Sequence, residues 1–335
     1  MHLTPLGNDR FRSRGWFDER LQQICNARIR PDDLRHEAEA AFEERVDDRL
    51  KPGRGLWRGE FWGKWALGAC AASRYFHDQD LPGRIAASAA RVAATQDKSG
   101  YIGTYHDPDF LAGNCWNVWG RKYTLWGLLA SYELLGDARL LEAAHGLARH
   151  LTSQFARSQL LPVQTGQCYG LPSSSILTPL VALYRITEDD ALLACAERIA
   201  NTFDQGPDGI PDLLNKGLAG APLHAWFPGA EMWAKCYEFL SCIEGFCDLF
   251  EATADERYKT AAVNIHQALV DHDLSVAGSV SFDDHIVGSG GILNTVSELC
   301  DAVYWMRLSL RLLCLTGDAR YADAFEQTAW NAMAC

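Results

Sequence analysis

The chain has 335 residues, 48% of them hydrophobic, and a formal net charge of −12, with a pI near 5.3. That length and apolar fraction exclude disorder and allow a sizeable buried core. The acidic balance excludes a nucleic-acid partner, which needs a basic face.

No run of about 18 or more apolar residues occurs, so no helix is expected to span a membrane. The N-terminal stretch MHLTPLGNDRFRSRGWFDER lacks the apolar run and small-residue cleavage site of a secretory signal, so the expected location is cytoplasmic. The eleven cysteines are expected as free thiols, most of them small buried hydrophobes. A homodimer stays open.

In chain order, an N-terminal segment (1–54) carries a leading helix near Leu34–Leu50, and residues 55–335 form the main domain. In the main domain one pattern recurs. An apolar helix ends in a short polar turn, and an amphipathic helix returns. A weak first copy runs from Trp65 to Gln96 and turns at His77-Asp78. The clearest copy places Leu125, Leu128, Leu129 and Tyr132 on one helical face, turns at Leu135-Gly136-Asp137, and returns through Leu140, Ala144, Leu147, Ala148 and Leu151. Gly136 suits a C-cap and Asp137 an N-cap. Further copies span Leu177–Phe203 (turn Thr187-Glu188-Asp189), Cys236–His272 (turn Thr253-Ala254-Asp255) and Trp305–Met333 (turn Thr316-Gly317-Asp318).

These hairpins recur at longer intervals than the roughly 35–45 residues of open helical solenoids. They predict an all-α fold, an (α/α)6 toroid of helical hairpins. Five hairpins and a leading helix fall short of six pairs, so the ring is read as incomplete at its C-terminal end.

The connectors 53–65, 100–123, 166–175, 221–238 and 277–300 are rich in glycine, tryptophan, tyrosine and polar groups. Long aromatic loops carry function more often than plain linkers do. Sugars offer flat C–H faces to aromatic rings and hydroxyls to charged or amide groups. Trp57, Trp62, Trp116, Trp119, Trp226 and Trp233 suit such a pocket, and equally suit plugs at the ends of a ring.

Two constellations carry chemistry. Ser281-Phe282-Asp283-Asp284-His285 gathers two carboxylates and an imidazole in a glycine-flanked loop. Glycoside cleavage needs a carboxylic acid to protonate the leaving oxygen, and Asp283 or Asp284 can serve. A solvated turn is the plainer reading. Glu298-Leu299-Cys300 is the second. In an extended approach to a helix the two outer side chains share a face and can converge on one zinc ion. A buried cysteine beside a capping glutamate is the alternative. No P-loop, dinucleotide fingerprint, His-Glu-x-x-His or nucleophile elbow is present.

Taken in order, several runs resemble the β-L-arabinofuranosidases of glycoside hydrolase family 127. They are Gly59-Glu60-Phe61-Trp62-Gly63-Lys64-Trp65, Gly100-Tyr101-Ile102-Gly103, Val118-Trp119-Gly120-Arg121-Lys122-Tyr123, Ser173-Ser174-Ser175-Ile176-Leu177, Tyr237-Glu238 through Glu244-Gly245, and Glu298-Leu299-Cys300 through Asn331. The resemblance implies an (α/α)6 barrel followed by β-sandwich domains, and a retaining glycosidase with a zinc-bound cysteine nucleophile. It implies that Glu298 and Cys300 ligate zinc. It makes Asp284 the acid/base, with Asp283 the alternative if the register slips by one. It places Lys122 and Tyr123 where characterised members have a substrate-binding histidine, and Trp116, Arg121, Glu238 and His285 are further candidates for contact with the carbohydrate.

Two departures stand out. The acid/base is aspartate rather than glutamate. The adjacent cysteine pair that supplies the nucleophile and the remaining zinc ligand is expected past residue 335, as are the β domains. Two readings of this follow, a fragment of a longer protein or a reduced member of the family. Two other functions stay open: a metal-independent toroid enzyme such as an unsaturated-uronide hydrolase or lyase, and a non-catalytic sugar-binding or scaffold protein.

Overall fold

A computed structural model of the chain describes residues 3–4, 6–7, 9–45, 57–113, 115–230, 232–288 and 298–334. Among them the regular structure is helical, and pairing of extended backbone is limited to two isolated bridges, Lys235 with His285 and Phe282 with His285. The expected all-α class holds. No described helix is long and apolar enough to cross a membrane. Every described cysteine is a free thiol.

Fourteen α-helices follow one another: α1 (Trp16–Ile24), α2 (Asp32–Glu44), α3 (Gly59–Phe76), α4 (Leu81–Ala93), α5 (Asn117–Leu135), α6 (Ala138–Ser158), α7 (Leu171–Ser174), α8 (Leu177–Thr187), α9 (Asp190–Ala200), α10 (Leu213–Ala219), α11 (Cys236–Thr253), α12 (Glu256–His272), α13 (Leu299–Thr316) and α14 (Arg320–Trp330). The leading helix read near Leu34–Leu50 is α2. It ends at Glu44, and 46–50 fall outside the described residues. Helix α1, which runs on through a π-helical stretch at Cys25–Ile29, was not legible in the sequence pattern.

The turn aspartates cap the returning helices as their positions suggest. Asp137, Asp189, Asp255 and Asp318 each accept the backbone N–H two residues on, at 3.0, 3.1, 3.0 and 3.0 Å. Asp78 accepts from both Asp80 and Leu81 at 2.9 Å. Each carboxylate satisfies a donor that the first helical turn leaves open and adds favourable charge at the positive end of the helix. On the other side of two of these turns, Gly136 and Gly317 take the left-handed conformation that ends the preceding helix.

The chain divides into two compact units. The first holds Leu6–Gln159 and Ile186–Glu188, the second Leu160–Arg185 and the chain from Asp189 onward. In the first, α3 and α5 pack side by side, with α4 and α6 against them. Helix α5 is buried on most sides, Arg121 and Lys122 included, so its apolar residues form no single stripe, whereas α4 and α6 bury one stripe. Small residues set the α3–α5 distance. A Cβ on Gly63 would stand 2.1 Å from the Tyr123 carbonyl oxygen, and one on Gly59 would stand 3.0 Å from the Gly120 Cα.

In the second unit α11 is the enclosed helix, packed by α12 and α13, while α10 packs on α12 and α14 on α13. A row of charges locks α11 to α13. Glu244 accepts two bonds from Arg307 (2.6 and 3.1 Å), and Arg311 reaches Asp248 (2.5 Å) and Glu251 (2.9 Å). Numbers rise together on both helices, so the two run parallel and begin at the same end. Burial pushes the Asp248 carboxyl up to about 6 despite the Arg311 guanidinium beside it.

The glycine contact gives a direct test. Gly63→Ala puts a methyl into backbone that cannot yield, so it should destabilise the chain by about 3 kcal/mol in urea unfolding, the upper end for overpacking. A loss below about 0.5 kcal/mol, the range of a neutral surface change, would contradict the close approach.

Candidate active site

The acidic loop of the second unit folds as a two-residue hairpin. The Phe282 N–H donates to the His285 carbonyl (2.7 Å) and the His285 N–H to the Phe282 carbonyl (2.9 Å). Asp283 and Asp284 between them have φ of 45° and 66°. Two consecutive left-handed residues are what this tight turn requires, and aspartate tolerates them better than most side chains. The hairpin is clipped to the chain just before α11. The Cys236 N–H donates to the Asp284 carbonyl and the Ile286 N–H to the Ala234 carbonyl, both at 2.9 Å.

This backbone pairing brings the Asp284 carboxylate against the ammonium of Lys235 in a direct ion pair. Glu238 Oε2 lies 3.7 Å from the same ammonium, and its side chain is only 2% exposed. The second Asp284 oxygen, Oδ1, is buried without a hydrogen-bond partner. Contact with an ammonium favours the charged carboxylate. Asp283 points to solvent, and its carbonyl accepts a bond from the His285 ring at 2.9 Å. Of the two aspartates it is therefore Asp284 that the fold draws into a polar cluster, with His285 beside it on the turn.

The second constellation forms the start of α13. Glu298 is its N-cap residue with extended backbone, and Leu299 opens the helix. The side chains of Glu298 and Cys300 do converge, the thiol donating to Glu298 Oε2 at 2.9 Å. The preceding run 289–297, including Gly290-Gly291 and Ile292, lies outside the described residues. Asp301, fully buried one step further, is pushed up to about 6 by burial and by the Glu298 charge, with the Ser281 hydroxyl and Lys235 pulling the other way. The Cys236 thiol, enclosed at the start of α11, is pushed far above its usual value by burial and by the charges of Asp301, Glu238 and Asp273.

The charge row along α11 and α13 explains why these groups meet. Glu244 and Arg307 each stand eight residues past the first residue of their helix. The two helix starts, with Glu238 on one and Glu298–Cys300 on the other, are thus held level. The rings of Tyr237 and Tyr304 touch edge to face at 4.6 Å in between.

For zinc, the donor chemistry of Glu298 and Cys300 is suitable, and their contact lets one ion reach both. Among the described residues no group of three or more histidine, cysteine, aspartate or glutamate side chains is placed to hold a metal. The described residues therefore offer part of a ligand set.

The first unit holds the other candidates. Trp119, Lys122, Tyr123 and Trp126 recur at i, i+3, i+4 and i+7 on one face of α5. The Lys122 ammonium lies 4.4, 5.0 and 5.9 Å from the three ring centres, close enough for attraction to the ring faces. Glu60 takes the Trp119 indole N–H and pairs with Lys64 at 3.1 Å, and Lys64 lies 5.3 Å from the Tyr123 ring. Trp116, 9% exposed, meets Trp119 edge-on at 5.8 Å and Trp57 at 6.4 Å. Trp116, Lys122 and Tyr123 are thus brought together.

Arg121 is not with them. One residue before Lys122, it faces another side of the helix, donating to Gln154 Oε1 at 2.7 Å and lying 5.5 Å from the Tyr101 ring. It is enclosed, with Nε and Nη2 unpartnered, and burial pulls its guanidinium down from the usual value.

The aromatic loops divide in the same manner. Trp57 is exposed, whereas Trp62, Trp119, Trp226 and Trp233 are buried. Trp62 gives its N–H to Ser88, and Trp226 and Trp233 stack on each other at 5.6 Å. These four act as packing, as the plug reading allowed.

Sequence reasoning missed Lys235, Glu60 and Lys64. Lys235 carried a weak signal, since it lies in an aromatic loop three residues before Glu238.

The chain was compared with known proteins. A family model described as β-L-arabinofuranosidase, GH127 catalytic domain, matches residues 13–334. Among solved structures, a GH127 β-arabinofuranosidase superposes with a TM-score of 0.67 at 19% identity, covering 93% of this chain and 50% of the other. A GH127 β-L-arabinofuranosidase from Geobacillus stearothermophilus T6 gives 0.67 at 16% identity, with 94% and 52% covered. A protein described as a glycoside hydrolase gives 0.66 at 16%, with 95% and 49% covered. At these identities the likeness is one of fold, and the chain spans about half the length of these structures. No curated protein matches it.

The ion pair can be tested by a double-mutant cycle. Lys235→Met leaves a largely buried carboxylate unpaired and should destabilise the chain by about 2 kcal/mol. Adding Asp284→Asn should recover at least half of that loss. Additive effects, with a coupling below about 0.3 kcal/mol, would show that the two side chains do not interact.

Proposed function

The chain belongs to the β-L-arabinofuranosidase GH127 catalytic-domain family, and from that membership we propose that it is a retaining, zinc-assisted glycosidase acting on L-arabinofuranosides or related sugars. The observation that carries the proposal is the Lys235–Asp284 pair, held at the same end of α11 and α13 as Glu238 and the Glu298–Cys300 pair.

Retaining cleavage asks one carboxyl group to act twice. It protonates the leaving oxygen first, and later takes a proton from the incoming water. Asp284 is assigned both steps. In the first, the Asp284 proton goes to the leaving oxygen, and the proton that Asp284 takes from water in the second step restores it. In the second, the ionised Asp284 carboxylate is the form a general base needs, and contact with Lys235 favours it.

Glu238 and His285 flank Asp284 and are proposed to bond sugar hydroxyls. Within the first unit Trp116 is proposed to offer an aromatic face to C–H groups, with Lys122 and Tyr123, as enclosed as Arg121, behind it. Arg121, enclosed behind Tyr101 and Gln154, is proposed to support that face rather than to touch the sugar.

Glu298 and Cys300 are proposed as two zinc ligands. Bound there, zinc would keep thiols in their ionised form and offset the surrounding carboxylate charge.

Two experiments test this reading. Asp284→Asn should lower kcat on an alkyl arabinofuranoside, whose leaving group needs the proton, by roughly 10²–10⁴-fold. The loss in the glycosylation step of a 4-nitrophenyl glycoside should be far smaller. Equal losses on both substrates would remove Asp284 from the acid role. Glu298→Ala should lower bound zinc, measured by elemental analysis, together with activity. Full activity in zinc-free Glu298→Ala protein would refute the metal assignment and favour a metal-independent hydrolase.

A further inference from the structure

The first 31 residues carry a charge opposite to that of the rest. They hold six arginines and three acids, a net +3, whereas the whole chain is −12, so the remainder carries −15. The same stretch is apolar on its outside. Leu6, Phe11, Trp16, Leu21 and Ile24 are each 40% or more exposed. Basic and apolar groups exposed together on an acidic protein fit a partner that is both anionic and apolar.

Helix α1 combines the two. One flank is pinned to α3. The Tyr75 hydroxyl donates to Asp18 (3.0 Å), Cys25 is buried, and the Trp65 indole N–H donates to the Ile29 carbonyl (3.0 Å). Arg30 pairs with Asp78 just beyond. The other flank faces outward. Trp16, Arg20, Ile24 and Arg28 recur there at intervals of four, all exposed, with Leu21 beside them. The Arg20 guanidinium lies 5.4 Å from the Trp16 ring centre. Among the described residues neither Arg20 nor Arg28 makes an ion pair. Of the acids on α1, Asp18 belongs to the pinned flank, and Glu19 stands about 100° round the helix from Arg20.

Beside this face a groove of about 380 Å³ runs between α1 and α3. Ile24, Cys25 and Phe76 line it, Gly68, Ala71 and Ala72 keep it open, and no lining residue is charged.

Charge decides among the occupants. A second copy docked face to face would set arginine against arginine, because a two-fold contact pairs a patch with itself. A neutral apolar partner would cover Arg20 and Arg28 without a counter-charge. An anionic lipid surface meets both needs. Trp16, Leu21 and Ile24 enter the boundary between headgroups and acyl chains, and the arginines meet lipid phosphates.

We propose that the outward face of α1 docks the protein on an anionic lipid surface. The helix lies on the surface and does not cross it, since its nine residues are too short to span. The same surface repels the acidic remainder, so docking is confined to this face and weakens with salt.

The test is flotation of the whole chain with vesicles. One set is half phosphatidylglycerol and half phosphatidylcholine, and the other is phosphatidylcholine alone. The anionic set should bind the chain roughly tenfold or more tightly, and the advantage should vanish at about 1 M salt, where charges are screened within about 3 Å. Arg20→Glu/Arg28→Glu should weaken binding by roughly 25-fold or more, about fivefold for each arginine. Ile24→Asp should weaken it by roughly tenfold or more. Arg139→Glu/Arg149→Glu makes the same change in net charge on exposed positions of α6 and should bind as the unaltered chain does. These are surface changes, and urea unfolding checks that each variant is folded.

Equal binding to the two vesicle sets, binding that survives Arg20→Glu/Arg28→Glu, or an equal loss in the α6 variant would overturn the proposal. So would the absence of binding. In that case, lipid-free self-association that Ile24→Asp abolishes would assign the face to a second copy of the chain.

Discussion

The parallel register of α11 and α13 is the constraint on which the second unit's chemistry depends. Glu244 with Arg307, and Asp248 and Glu251 with Arg311, form a charge row that admits one alignment. A slip of one turn in either sense would leave Glu244 or Asp248, both buried, without its α13 arginine, which is expensive away from water. With the row in place, both helices begin together. The first turn of α11 supplies Glu238, and the first turn of α13 supplies Glu298 and Cys300.

On that platform the acidic hairpin adds Asp284. Its backbone could not make the turn with β-branched residues, since Asp283 and Asp284 are both left-handed. The pairing of residues 284–286 with 234–236 then leaves Asp284 one option, contact with Lys235. The site is thus assembled from three stretches of the chain, with Lys235 in contact with Asp284 and near Glu238.

How much of this was legible in the sequence differed by element. The helix caps were, because capping is local: Asp137, Asp189, Asp255 and Asp318 bond the backbone two residues away. The all-α class followed from the same turns and from helical periodicity. The convergence of Glu298 and Cys300 was also legible, being a matter of one residue between them. The Lys235–Asp284 contact was not, because it spans 49 positions and is created by hairpin pairing that leaves no periodic trace. Nor was the separation of Arg121 from Lys122. Neighbours in sequence diverge on a helix, and only the packing around α5 shows that one faces Gln154 and the other three aromatic rings. The tryptophans fitted a pocket and a plug equally in the sequence, for a related reason. Trp62, Trp226 and Trp233 lie in glycine-rich connectors that look like binding loops, yet each is buried by neighbours that sequence spacing does not reveal.

The central claim is that one ammonium–carboxylate contact, Lys235 with Asp284, ties the acidic hairpin to the shared end of two locked helices. A crystal structure of the chain, inspected at this point, measures it most directly. The account predicts Lys235 Nζ within about 2.7–2.9 Å of the Asp284 carboxylate, a charge-assisted hydrogen bond, on the same rim as the Glu298–Cys300 pair. Lys235 and Asp284 turned apart into solvent, or the two pairs at opposite ends of α11 and α13, would contradict it.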